Sequence, residues 1–351
     1  MIITVITNLP KKSHKRNGVG VNNNPEVRQQ LILEKIKNDL KDLEILYIND
    51  KISFQWLCNV HDYDYLLFLN TAYTNVTLVN DIEWIDASGG LVPTHFTKTK
   101  PSVEVPIYKR SGYYASDIMS PIYDDTYDNC MIAANQARKG AELLWASNNP
   151  NDVIYVLTPS PGHHAKYEEY GGYCFINNAV VAVYRLLELG INKVAVLDLD
   201  FHTHNGTAHF AATQPTFKDK LIACSIHANP KYDYPSFEGY EEENSECIKN
   251  ITMERGTSWL QYKMALDTAC EFIDIHKVKM LIIAFGADTY KDDPDASPLN
   301  RMKLEVEDYD KMGKLIRQHF PKMPILLTQE GGYNLTYVPE IVCRFLNSLI
   351  N

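Results

Sequence analysis

The chain lacks the marks of several large protein classes. Its seven cysteines (Cys58, Cys130, Cys174, Cys224, Cys247, Cys270 and Cys343) are scattered over 351 residues, odd in number and without a Cys-x-x-Cys pair. Neither a disulfide framework nor a structural zinc site is expected from them. No stretch approaches the roughly 20 apolar residues that span a bilayer. Met1 to Ile6 is too short for an export signal and has no basic residues ahead of it. These absences predict a reduced, soluble, cytoplasmic protein with no membrane partner. Positive charge is also scarce: 34 Lys and Arg stand against 44 Asp and Glu, a net charge of -10. That argues against a nucleic-acid partner and gives slight weight to a cationic ligand. No Ser or Cys nucleophile elbow is evident.

What is present is ordinary globular material, 45% hydrophobic and 22% charged, enough for one sizeable core. Short apolar runs predict strands at 2–7, 43–48, 153–157, 193–199, 221–227, 280–287 and 324–328. Helical patterns begin at Pro25 and cover 128–147 (with Asp128 as N-cap), 177–189, 258–276, 306–320 and 337–350. Strands that alternate with helices and are apolar throughout predict an α/β fold, a mainly parallel sheet covered on both faces. Residues 11–24 read as an exposed loop. Residues 70–127 are rich in Gly and Pro and poor in period, and read as a loop-rich insertion near the site. The whole of 1–351 reads as one catalytic domain.

The densest chemistry lies in Val194 to Thr207, VAVLDLDFHTHNGT. Asp198, Asp200 and His202 fall at every second position, so a strand continued to His202 would carry all three on one face. Buried carboxylates and imidazole without thiolate suit a catalytic zinc, manganese or iron. Asp288, after the apolar strand and Gly286, could complete the set of Asp200, His202 and Asp288. His163 and His164 follow Pro161-Gly162. As neighbours on an extended chain they should diverge, which suits proton carriers better than ligands of one ion. Asp198 and Asn205 are available to orient them. Tyr333 after Gly331-Gly332 could present a phenol to an oxyanion. A metal, a His base and a Tyr donor describe metal-assisted hydrolysis of an amide or a similar bond. All these residues fall at the C-terminal ends of predicted strands, where open α/β sheets bind ligands.

Six segments carry a resemblance to a known family. They are Pro161 to Ala165, Gly171 to Asn178, Asp198 to Thr207, Ser225-Ile226-His227, Gly286 to Thr289 and Glu330 to Tyr333. Together they resemble the zinc-dependent histone deacetylase superfamily. Gly112-Tyr113-Tyr114 and Phe237 to Glu242 are similar to its bacterial acetylpolyamine amidohydrolase branch. The resemblance implies an arginase/deacetylase-like three-layer α/β/α fold with about eight strands. It implies one Zn2+ per chain on Asp200, His202 and Asp288. His163 and His164 become the catalytic pair, the second as general base and then acid, supported by Asp198 and Asn205, with Tyr333 polarising the scissile carbonyl. Tyr173 and Tyr234 become tunnel walls, with Gly172, Asp117 and Asp295 also on the substrate path. A structural K+ would sit on Asp198 and Ser225 and on carbonyls of Asp200, His202 and Ile226.

The activity implied is removal of acetyl groups from N-acetylated amines. The first substrate class is small cationic acetylpolyamines, and the alternative is acetyl-lysine in a protein or peptide. An inactive homologue that only binds acyl ligands is a third reading. A narrow acidic entrance in a homodimer would favour polyamines. Some residues depart from the family pattern. Thr203 and His204 stand where His and Gly are usual, and a Gly there would matter if the site needs positive φ. Lys109 and Arg110, rather than acids, precede Gly112.

Overall fold

The computed structural model describes residues 2–8, 25–147 and 149–350. The loop expected over 11–24 lies outside the described residues. The described strands are β1 (Ile3–Thr7), β2 (Leu43–Tyr47), β3 (Val153–Val156), β4 (Val194–Asp198), β5 (Leu221–Ala228), β6 (Ile248–Met253), β7 (Leu281–Phe285) and β8 (Ile325–Gln329). They form one eight-stranded sheet in the order β2-β1-β3-β8-β7-β4-β5-β6, and every pairing is parallel.

The continuous apolar runs are explained by burial on both faces. In β4, Ala195 and Leu197 join one core while Val194 and Val196 join the other. In β7, Leu281, Ile283 and Phe285 face the first and Ile282 and Ala284 the second. Such strands need helices on both sides. The helices are α1 (Pro25–Asp39), α2 (Phe54–Leu57), α3 (Tyr63–Val79), α4 (Ser111–Tyr114), α5 (Thr126–Ala146), α6 (Asn178–Glu188), α7 (Asn205–Thr213), α8 (Trp259–Ile275), α9 (Asp308–His319) and α10 (Val338–Ile350). Helices α1, α8, α9 and α10 cover one face; α3, α5, α6 and α7 cover the other. The result is the three-layer α/β/α arrangement.

Three sequence expectations are corrected. The irregular segment does not begin at 70, because α3 runs from Tyr63 to Val79, capped by the Asp62 side chain, which accepts from the Tyr65 N–H. Its Thr and Asn residues blur the period, while Tyr65, Leu66, Phe68, Leu69, Ala72 and Val76 supply the buried stripe. Asp128 is not an N-cap: α5 begins at Thr126, so Asp128 lies inside its first turn and pairs with Lys51. Four further elements were not foreseen, the edge strand β6 and the short helices α2, α4 and α7, whose sequences give weak periods. Among the described residues no helix is long and apolar enough to cross a membrane.

Four adjacent strands, β3, β8, β7 and β4, bring their C-terminal ends to one rim. The loops that follow them carry His163-His164, Tyr333, Asp288, Asp200 and His202.

Candidate active site

Strand β4 stops at Asp198, so the two-residue alternation does not extend to His202 as expected. Side-chain bonds replace the ladder. Asp198 Oδ1 accepts the Asp200 N–H at 3.0 Å, and Asp200 Oδ1 accepts the His202 N–H at 2.9 Å. Such local bonds offer the backbone an alternative to sheet pairing, and here they curl the chain into the rim.

Asp200, His202 and Asp288 converge. One atom from each lies within 4.8 Å of the others. His202 Nδ1 is 3.3 Å from Asp200 Oδ1 and 3.6 Å from Asp288 Oδ2. Ligands about 2.0–2.1 Å from a tetrahedral zinc sit roughly 3.3 Å apart, so the spacing fits. The donor chemistry fits as well. Asp288 Oδ1 accepts the Phe201 N–H at 3.0 Å, while its buried Oδ2 has no hydrogen-bond partner among the described residues. Burial, together with the Asp200 charge, pushes the Asp288 carboxyl up to about 8. A buried carboxylate oxygen without a donor is costly unless a cation meets it. Gly331 makes the approach possible, since a Cβ there would fall 2.1 Å from Asp288 Oδ2.

The histidine pair does not diverge as expected, because the chain turns there. The rings lie 4.0 Å apart and both line one cavity. His163 Nδ1 lies 3.1 Å from Asp198 Oδ2 and His164 Nδ1 lies 2.6 Å from Asn205 Oδ1. Their titration is pushed apart. Burial alone would depress His163, but Asp200 and Asp198 outweigh it and hold His163 up at about 10. Burial depresses His164, and the charges of His163 and His202 depress it further. A charged and a neutral imidazole therefore stand side by side, and only the neutral one has a lone pair free to take up a proton.

The cavity, about 180 Å3, is lined by these histidines, Tyr173, Tyr234, Tyr333 and Gly172, and by the acids Asp117, Asp233, Asp200 and Asp295. No Lys or Arg is among the described residues lining it. The Tyr234 ring stands edge-on to His164 at 4.9 Å, and Tyr173 edge-on to Tyr333 at 5.9 Å. Gly172 has φ +55°, and a Cβ on it would meet His164 Cδ2 at 2.2 Å. Asp117 is engaged internally: it accepts from the Gly172 N–H at 2.7 Å and the Tyr234 hydroxyl at 2.9 Å. Asp295 accepts from the Tyr173 hydroxyl at 3.4 Å. Lys109 and Arg110 are turned elsewhere, to Asp81 and to the carbonyls of Val103 and Val105. They do not compromise the acidic lining.

His204 sits at φ -80°, so this position does not require glycine. Its Nε2 lies 3.2 Å from Asn250 Oδ1, and burial lowers it to about 3, which keeps it neutral. Ser225 is the Cα partner of Asp198 across β4 and β5, next to Ile226.

Several residues escaped sequence reasoning. Glu330 Oε2 accepts the Gly162 and His163 N–H groups at 2.6 and 3.1 Å, which ties the histidine loop to β8. Asp293 Oδ2 accepts the Tyr333 and Asn334 N–H groups at 2.7 and 2.9 Å. Arg28 donates to the Gly332 carbonyl at 3.0 Å and lies 5.4 Å from the Tyr333 ring centre. Asp233 joins the cavity wall. None has a spacing signal, because each acts across more than 30 residues. A second His–Cys–Glu group, His163, Cys174 and Glu330, is close enough to hold an ion. Burial, however, pushes the Cys174 thiol up and keeps it protonated, a poor ligand state.

Residues 23–349 match the histone deacetylase domain model. An acetylpolyamine amidohydrolase of Mycoplana ramosa is 34% identical over 301 residues, 83% of this chain and 81% of that one. Acetylpolyamine amidohydrolase 1 of Pseudomonas aeruginosa is 34% identical over 288 residues, 79% and 77% of the two chains. The crystal structure of an acetylpolyamine aminohydrolase from Burkholderia pseudomallei superposes with TM-score 0.84 at 21% identity, covering 99% of this chain and 98% of that one.

Proposed function

We propose, since this chain belongs to the histone deacetylase family, that it hydrolyses N-acetylated amines and that small acetylpolyamines are its substrates. The observation that carries the substrate class is a cavity walled by Asp233 and Asp295 with no Lys or Arg among its described lining residues. An acetylated diamine or triamine keeps a free ammonium beyond its acetamide, and that charge suits these acids. Relatives named acetylpolyamine amidohydrolase support the reading.

Asp200, His202 and Asp288 would hold a single divalent zinc. A bound divalent ion supplies Lewis acidity to the amide carbonyl and makes water acidic enough to attack near neutrality. The chain's own groups do the rest. His164, held neutral, takes the proton of the attacking water at Nε2. His163, held charged by Asp198, and the Tyr333 hydroxyl face the developing oxyanion. His164 then returns the proton to the leaving amine, and acetate and the free amine depart. Asp198, Ser225 and the carbonyls of Asp200, His202 and Ile226 would hold a structural K+. The Cα pairing of Asp198 with Ser225 supports that assignment.

The test is a kcat/KM panel on zinc-loaded protein with N-acetylated diamines and triamines against acetyl-lysine peptides. Preference for the small amines is expected. A preference for peptides transfers the assignment to acetyl-lysine, and no turnover of either removes the deacetylase reading.

A further inference from the structure

Asn205 cannot orient His164 unaided. A carboxamide presents an oxygen on one side and an NH2 on the other. With the oxygen toward His164, Nδ1 carries the proton and Nε2 keeps its lone pair for water. With the NH2 toward His164, the tautomer reverses and the base is lost. Asp198, an acceptor at both oxygens, meets no such ambiguity at His163.

The ambiguity is settled one residue further out. Glu238 Oε2 lies 2.7 Å from Asn205 Nδ2. A carboxylate only accepts, so the Asn205 NH2 must face Glu238 and its oxygen must face His164. Lys166 holds the other oxygen, Oε1, at 2.7 Å and is itself paired with Glu169 at 2.8 Å. The loop that bears Glu238 is seated. His227 Nε2 donates to the Gly239 carbonyl at 2.8 Å. Gly239 sits at φ +92°, where a Cβ would meet Thr203 Oγ1 at 2.3 Å, so only glycine brings the loop this close. Lys166, Asn205 and Glu238 line a second cavity of about 190 Å3 that shares no lining residue with the first.

We propose that Glu238 is a positioning residue that fixes the Asn205 carboxamide and thereby sets His164 in the Nδ1–H tautomer, with Nε2 free as base. The proposal rests on reading His164 as the base, but its principal test does not need turnover. In zinc-loaded protein labelled with 15N-histidine, two-bond proton–nitrogen correlations report each tautomer directly, and the His164 signals are assigned by their loss in His164→Gln. The wild type is expected to give the Nδ1–H pattern and Glu238→Ala a large shift toward Nε2–H. Its kcat is expected to fall at least tenfold, with KM within twofold and zinc content unchanged. Glu238→Gln, which restores a carbonyl acceptor, should recover most of that loss. In an Asn205→Asp background a carboxylate faces His164 in either orientation, so the Glu238→Ala penalty should shrink at least fivefold. If the alanine variant does not fold, Glu238→Met takes its place. An unchanged His164 pattern in the variant, an Nε2–H pattern in the wild type, or equal penalties in both backgrounds would overturn the proposal. Absence of any deacetylase turnover would remove the proposed function while leaving the tautomer result to decide this point.

Discussion

Replacing Tyr333 by Phe tests the oxyanion donor with little collateral change. No hydrogen bond from its hydroxyl is found among the described residues. The residue is held by other means: its N–H donates to Asp293 at 2.7 Å, its ring meets Tyr173 at 5.9 Å, and Arg28 lies 5.4 Å from its centre. Phe keeps all three, so folding stability should change by no more than about 0.5 kcal/mol. Loss of one preorganised oxyanion donor costs about 100- to 1,000-fold in kcat, about 2.7–4 kcal/mol at the transition state. Because the hydroxyl would act only as charge develops, the loss should fall on kcat and leave KM and zinc content near their original values. The assay is steady-state acetate release from an N-acetylated diamine with zinc-loaded protein, alongside metal analysis and thermal unfolding. A kcat within tenfold of wild type, or a loss confined to KM, would refute the role given to Tyr333.

Three further outcomes are expected. Asp295→Asn should lower kcat/KM for N-acetylated diamines about fivefold to tenfold more than for neutral N-acetyl-alkylamines, roughly the value of a part-exposed charge pair; equal losses would remove Asp295 from the substrate path. Gly331→Ala places a Cβ 2.1 Å from Asp288 Oδ2 and should weaken zinc about 10- to 100-fold in a chelator competition, whereas an unaltered affinity would count against the ligand set. His61, buried, with Nε2 accepting from the Asn177 N–H at 3.1 Å, is depressed by burial from 6.5 to about 4. The unfolded chain therefore takes up this proton first. Stability is present above about pH 6.5 and is lost as pH falls toward 4, by about 3 kcal/mol for this group. Urea unfolding of His61→Gln should show a shallower acid slope than wild type, and identical slopes would sink the argument.

The sheet was legible because two-sided burial writes itself as unbroken runs such as Leu281 to Phe285. Part of the candidate site was legible because Asp198, Asp200 and His202 crowd one strand end. Helix α3 was hidden, since its polar Thr71, Thr74 and Thr77 break the period without leaving the solvent face. The outer partners were hidden for a different reason. Glu330 reaches Gly162 and His163 across β3 and β8, and Asp293 reaches Tyr333 across β7 and β8. Those pairs become neighbours only through the order of the sheet, which a linear reading does not contain. His204 shows the converse: an unusual residue by resemblance is unremarkable once its φ is -80°.

The acids of this site build the loops that they serve, and that separates two kinds of substitution. Asp293 is fully buried and takes three backbone donors, from Tyr333, Asn334 and Asp295 at 2.7, 2.9 and 3.0 Å. Asp293→Asn must set an NH2 against at least one of those N–H groups. It should lower stability by about 2–4 kcal/mol, the range for a buried donor left unsatisfied beside a weakened charge-assisted bond. Asp288 differs, because its Oδ1 takes the Phe201 N–H and its buried Oδ2 takes no donor among the described residues. Asp288→Asn can keep the Phe201 bond and replaces a carboxyl whose charged form burial and Asp200 already disfavour. In chelator-treated protein it should leave stability unchanged or raise it, while abolishing the stabilisation that added zinc gives the wild type. Thermal unfolding of both variants, with and without zinc, reads the difference. If Asp288→Asn is as damaging as Asp293→Asn without zinc, then Asp288 supports the loop rather than a cation, and the three-ligand site must be abandoned.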